Sequence, residues 1–157
     1  MAVPHEMRLI ENWQRVVRVR VGPLEEFLKK VREEIGLGPE CVAVYLIGDG
    51  EMGRLNERYR KKKGPTDVLS FPVEADSTKA GTLRQQVRRA RGKFLGDIAI
   101  APRVARRNAK LLGRGLSQEL KVLILHGVLH LLGYDHETDR GEMERIEMRL
   151  RRKLGIA

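Results

Sequence analysis

The chain has 157 residues, with 31 Lys and Arg against 21 Asp and Glu, a formal net charge of +10. This length fits one ordinary domain that can bury a core without staples, and 41% hydrophobic with 33% charged residues excludes a disordered polyelectrolyte. The single cysteine, Cys41, excludes an internal disulfide framework, and the longest apolar run, Val122 to Leu132, is too short and too interrupted by His126, Gly127 and His130 to span a bilayer.

The cationic excess favours polyanionic partners, nucleic acid first and anionic membrane second. Met1 to Glu6 lacks the apolar stretch of a signal peptide, and a lone cysteine in an apolar segment suits a reducing cytosol.

Arg15 to Val21 largely alternates apolar and basic side chains and predicts a half-buried first strand. Gly22-Pro23 breaks it. Leu24, Phe27, Leu28, Val31 and Ile35 then recur at helical spacing up to Gly36 and Gly38. Cys41 to Ile47 is almost wholly apolar and predicts a central strand. Asp49 is a candidate cap for a helix through Met52, Leu55 and Tyr59, followed by the basic loop Arg60 to Pro65. Thr66 to Phe71 predicts a third strand, stopped by Pro72.

Residues 75–93 lack apolar periodicity and read as a polar, basic excursion between strands. Phe94 to Ala101 predicts a fourth strand. Pro102 opens a helix carrying Val104, Ala105, Ala109 and Leu112, closed by Gly113. Ser117 is a candidate cap for the next helix, which runs to Leu132 and stops at Gly133. Asp139 and Glu142 resemble a capping box for a last helix, Met143 to Leu154. Two strands lead into helices, two follow one another, and the C-terminal third is helical. The expected fold class is α+β, a single domain over residues 1–157 with about five helices.

The main chemical signal lies between His126 and His136. His126 and His130, four residues apart on a helix, share one face. Gly133 can end that helix and let the chain bring His136 back toward the same point. Three neutral imidazoles with an open fourth position describe a catalytic zinc (Zn2+) site, although iron, nickel or cobalt also fit. The spacing matches that of metzincin peptidases, but Gly127 stands where those enzymes carry their general-base Glu. A metal there can lower the pKa of its water without that base.

Asp97 and Asp135 are the candidate carboxylates for the imidazoles' second nitrogens; the alternatives are that Asp135 caps the turn and that Asp97 does no more than bond to backbone. Arg60, at a helix end, can grip a phosphate with two parallel hydrogen bonds. Lys61, Lys62 and Lys63 either attract an RNA backbone or form a solvated loop. Arg84, Arg88, Arg89, Arg91 and Lys93 are a second candidate RNA contact, without the interleaved aromatics that would stack bases.

Three blocks together resemble the YbeY family, the bacterial endoribonucleases of ribosomal RNA maturation. The first is Leu55-Asn56 with Tyr59-Arg60, leading to Thr66 through Pro72. The second is Leu95-Gly96-Asp97-Ile98, and the third is His126 to His136. The resemblance spans roughly residues 15–154. It implies a mixed four-stranded sheet packed with helices, with a metal at one end of a cleft. It also implies His126, His130 and His136 as ligands and Arg60 as the cleft arginine needed for activity, so His126 and Arg60 are the catalytic candidates. Cleavage of single-stranded RNA, maturation of the 3′ end of small-subunit ribosomal RNA, ribosome quality control with ribosomal or ribosome-associated partners, and a cytoplasmic location follow from the same resemblance. The excursion at 75–93 is longer than the family's usual connection. The competing readings are a metalloprotease-like hydrolase, and an RNA- or ribosome-binding module with a structural metal.

Overall fold

The computed structural model describes residues 9–73 and 82–156. Among these, four strands and six helices follow in the order β1 (Ile10–Asn12), α1 (Val21–Ile35), β2 (Val42–Leu46), α2 (Asp49–Arg60), β3 (Val68–Pro72), α3 (Leu83–Ala90), β4 (Gly96–Ile100), α4 (Pro102–Leu112), α5 (Leu116–Leu131) and α6 (Glu142–Lys153). The sheet order is β1-β2-β4-β3. β1, β2 and β4 are parallel and β3 is an antiparallel edge. The sheet is therefore mixed and the class is α+β.

The first strand is displaced from its predicted place. β1 is Ile10–Asn12, whereas Arg15 to Arg20 forms no regular element and Val21 already belongs to α1. The cause is Gln14, buried to 9% exposure. Its Nε2 donates to the Val17 carbonyl at 2.8 Å, and its Oε1 accepts from the Val17 N–H at 2.9 Å. Both backbone groups that a strand would pair at Val17 are thus held by a neighbouring side chain, which overrides the alternating pattern.

The excursion also departs from expectation. Part of it, residues 75–81, lies outside the described residues, but Leu83–Ala90 is a helix, which raises the count from about five to six. Thr82 and Gln85 close a reciprocal capping box at its start. Val87 and Ala90 bury one narrow face beside Gln86, too few apolar positions to show helical periodicity. Three predicted caps shift as well. Gly48 precedes α2, so Asp49 is its first residue; Gly115 precedes α5, which places Ser117 inside it. Gly141 precedes α6, while the Asp139 carboxylate accepts from the N–H groups of Gly141 and Met143, both at 2.9 Å.

Helix α5 is the centre of the packing. Ile124, Leu125, Val128 and Leu129 are fully buried against Val42, Val44, Leu46, Ile98 and Ile100 of the sheet and against α1. Burial of one such side chain stabilises by about 1.5–3 kcal/mol. A smaller cluster containing Met52, Leu69, Ala99 and Val104 covers the other sheet face. Two close approaches require glycine. A Cβ on Gly96, whose φ is +149°, would lie 2.2 Å from the Phe71 carbonyl oxygen. A Cβ on Gly127 would lie 2.8 Å from Cδ1 and 2.9 Å from Cγ2 of Ile98. Gly127 thus lets α5 sit directly on β4.

Candidate active site

Because α5 buries most of its surface, its C-terminal turn is held rigidly at the sheet's edge, and His126 and His130 emerge there one turn apart. Their ring centroids are 4.6 Å apart, and Nε2 of His126 lies 3.1 Å from Nε2 of His130. Beyond the helix the chain doubles back. The Tyr134 N–H bonds to the Leu129 carbonyl at 3.1 Å, and Gly133 takes a φ of +104°. The Asp135 carboxylate accepts from the Glu137 N–H at 2.9 Å and fixes the next turn. His136 is thereby returned to α5. Its ring stacks on His126 with a centroid separation of 5.0 Å and stands 6.1 Å from that of His130.

The carboxylate beside these rings is Glu147 of α6, which sequence reasoning did not select. Its Oε1 lies 2.8 Å from Nδ1 of His126. Burial pushes the Glu147 carboxyl up. The His126 hydrogen bond and the charges of His126, Arg151 and His136 outweigh it, so its pKa falls below the usual glutamate value. An ionised carboxylate only accepts, so His126 donates through Nδ1 and its Nε2 is left to face His130. A signal existed in the sequence: Glu147 falls on the same stripe of α6 as Met143 and Leu150, both buried.

The donor chemistry suits a divalent transition metal. One donor atom each from His126, His136 and Glu147 lies within 4.8 Å of the others, and His130 reaches this group through His126. Two combinations are therefore open to an ion, the three imidazoles or two imidazoles with Glu147. The hydrogen bond at Nδ1 of His126 favours the first, because it leaves that ring's free lone pair on the His130 side and gives Glu147 an orienting role. His130 is suited to ligation: burial, then the neighbouring His126, lowers its pKa to about 4, so the ring is neutral at physiological pH.

The histidines open onto a cleft of about 960 Å³, with Arg60 at the end of α2 on the same wall system. Arg60 pairs with Glu137 at 3.6 Å. Edge strand β3 supplies Val68 and Ser70 to the lining, and α3 with its following turn supplies Arg89 and Lys93. The Ser70 hydroxyl donates to the Gly127 carbonyl at 3.4 Å, tying this wall to α5.

Most of the other sequence candidates lie away from the histidines. Asp97 alternates with Ile98 on β4. Since Ile98 packs on α5, Asp97 faces the opposite side of the sheet, near Tyr45, and the structure does not bring it to the histidines. Asp135 lines the cleft but its carboxylate is engaged with the turn. Lys61, Lys62 and Lys63 are exposed beyond the cleft wall, and Lys61 adopts a left-handed backbone that ends α2. Arg88 projects from the far side of α3, away from Arg89.

Comparison with known proteins gives the same outline. The family profile described as Endoribonuclease YbeY matches residues 10–155. Proteins named Endoribonuclease YbeY from Solibacter usitatus and Koribacter versatilis are 41% and 43% identical, covering 88% and 91% of this chain and 82% and 83% of their own lengths. The corresponding protein from Aquifex aeolicus is 40% identical over 82% of this chain and 77% of its own. The solution structure of TM1509 from Thermotoga maritima shares the fold with a TM-score of 0.58 and 24% identity, covering 92% of this chain and 87% of that one. A profile match over nearly all of the described sequence, with relatives this similar, leaves one conclusion: the chain belongs to the YbeY endoribonuclease family.

Proposed function

We propose that this chain is a metal-dependent endoribonuclease that cuts single-stranded RNA, with His126, His130 and His136 as the ligands of a zinc ion. The observation that carries the reading is the shared cleft: three clustered imidazoles and the Arg60 guanidinium open onto one space. Bound there, the ion would polarise a phosphoryl oxygen and lower the pKa of a water. Glu147 holds the His126 ring in one tautomer. Arg60 binds the phosphate and offsets the charge that develops on it, with Arg89 and Lys93 adding attraction from the facing wall. Lys61, Lys62 and Lys63 raise the local concentration of RNA from their exposed loop.

A peptidase reading is disfavoured by the contact at Gly127, because the space that a general-base side chain would need there is filled by Ile98. The names of the relatives support RNA as the substrate. By extension the role is maturation of the 3′ end of small-subunit ribosomal RNA and ribosome quality control in the bacterial cytoplasm, with ribosomal RNA and ribosome-associated proteins as partners. No helix among the described residues is long and apolar enough to cross a membrane.

The test is an RNA-cleavage gel paired with elemental analysis of wild type, His130→Ala and Arg60→Ala. His130→Ala should lose both metal and cleavage. Arg60→Ala should keep its metal and cut about 10²–10³-fold more slowly, the usual effect of removing one charge-stabilising donor. Product ends bearing a 2′,3′-cyclic phosphate would identify the RNA 2′-hydroxyl as nucleophile. A wild type that binds RNA and its metal yet cuts nothing would leave only the binding-module reading.

A further inference from the structure

Helix α3 separates two basic surfaces. Arg89 and Lys93 belong to the active-site cleft, whereas Arg84, Arg88 and Arg91 line a second groove of about 470 Å³ on the other side. Arg149 of α6 enters the same groove, and the end of α1 at Gly36 closes it. Glu34 is the one carboxylate in its lining, and it is paired with Lys153 at 3.3 Å. Among the described residues none of the four guanidinium groups is in an ion pair. The fold does not need them: α3 is anchored through Val87 and Ala90, and all four arginines are exposed.

Four like charges around one small groove repel one another, and a polyanion relieves that repulsion. Arg84 and Arg88, four residues apart, share one face of α3, and Arg91 follows just beyond its C-terminal end. A helix is about 10–12 Å across with its side chains, so a single strand leaving the cleft could cross α3 and reach the groove within a few nucleotides. Leu83 and Val87 add apolar surface to the groove, but its charged groups left without an ion pair among the described residues are four guanidiniums, which favours a polyanion over a protein partner.

Building on the proposed endoribonuclease function, we infer that the groove between α3, α6 and the end of α1 binds phosphates of the same RNA strand, outside the site of cleavage. Its ligand class is the single-stranded RNA backbone, held by Arg84, Arg88, Arg91 and Arg149. The contribution is sequence-independent, because guanidinium contacts to phosphate carry no base information.

The experiment compares full-length wild type, the triple variant Arg84→Gln/Arg88→Gln/Arg91→Gln, and Arg149→Gln, a change on a different element. Binding of single-stranded 2′-O-methyl oligonucleotides of about 5 and about 15 nucleotides, a range that brackets typical site sizes, is measured across salt concentrations. Each oligonucleotide is checked on a gel to be intact. For the longer one, the triple variant should bind about tenfold or more weakly, and its slope of log K against log salt should flatten by about 2, at roughly 0.7 for each phosphate no longer neutralised. Arg149→Gln should flatten it by somewhat less than 1. The short oligonucleotide should bind all three proteins alike. Long-RNA affinity and slope equal to wild type in both variants would overturn the inference. So would variants that lose affinity for polyglutamate but not for RNA, which would mark an acidic-protein site. A wild type that binds neither oligonucleotide would instead overturn the RNA reading of the cleft itself.

Discussion

Glu147 of α6 and His126 of α5, 21 positions apart in sequence, meet at 2.8 Å between Oε1 and Nδ1, and that contact decides which nitrogen of His126 faces His130. Removing the carboxylate frees the ring to rotate and to exchange tautomers. Glu147→Ala should therefore weaken zinc affinity by about 10–100-fold, as is typical for the loss of a carboxylate behind a ligating histidine. Glu147→Gln retains an acceptor oxygen and should lose less. Competition against a chromophoric chelator at fixed pH measures both. If Gln proves as damaging as Ala, Glu147 is itself a ligand, and the two-imidazole combination replaces the three-imidazole one.

The contact between Gly127 and Ile98 yields a prediction in which two effects oppose. Alanine in a helix interior is ordinarily better than glycine by about 1 kcal/mol. Here the added Cβ meets Ile98 at 2.8 Å, and Ile98 is fully buried. Overpacking of this kind costs about 1–3 kcal/mol. Gly127→Ala should lower the urea midpoint, and Ile98→Val, which removes the nearest atom, should recover part of the loss in the double variant. A Gly127→Ala protein more stable than wild type would mean that α5 can ride away from the sheet at little cost.

Long-range periodicity made most of this fold legible. The apolar stripe of α1, the unbroken run of β2 and the dense helix α5 are each long enough for burial to dominate local preference. What was not legible depended on one side chain or on a short element. The alternation at Arg15 to Val21 lost to Gln14, whose amide satisfies Val17 locally. Helix α3 has only eight residues and few apolar ones, so its cap was a clearer signal than its pattern. At the site, the histidines were readable because i, i+4 spacing and a glycine turn are local geometry. The partner of His126 was not, since contact between α5 and α6 is tertiary. Asp97 is a carboxylate of the kind that an imidazole's second nitrogen needs, but strand alternation turns it to the sheet face away from the histidines.

Asp97 nonetheless carries a pH signature. Burial raises its carboxyl above the usual aspartate value, with no cation among the described residues to offset it. The native state therefore holds a proton that the unfolded chain has already released. Stability attributable to this group is highest below the ordinary aspartate pKa and falls as pH rises from there through the raised native value. Asp97→Asn removes the titration. The variant should equal wild type in acid, become the more stable of the two by neutral pH, and show a flatter dependence between. Thermal melts at several pH values read this directly, and a variant less stable at neutral pH would mean the carboxylate makes a favourable bond that outweighs its desolvation.

Glu137 offers the sharpest separation of stability from substrate binding. Its ion pair with Arg60 spans 3.6 Å, with the side chains 73% and 46% exposed, so solvent screens it. Such pairs contribute about 0–1 kcal/mol, and Glu137→Gln should leave the melting temperature essentially unchanged. The cleft should respond differently, because the carboxylate occupies the guanidinium that a phosphate needs. Without it, RNA should bind more tightly, with KM falling by no more than about fivefold, the equivalent of ~1 kcal/mol, and kcat unaltered. The gain should shrink as salt rises, since the competition is electrostatic and partly exposed. A KM that increases would instead place Glu137 among the groups that hold the RNA, and Arg60 would then need a different explanation for its place in the cleft.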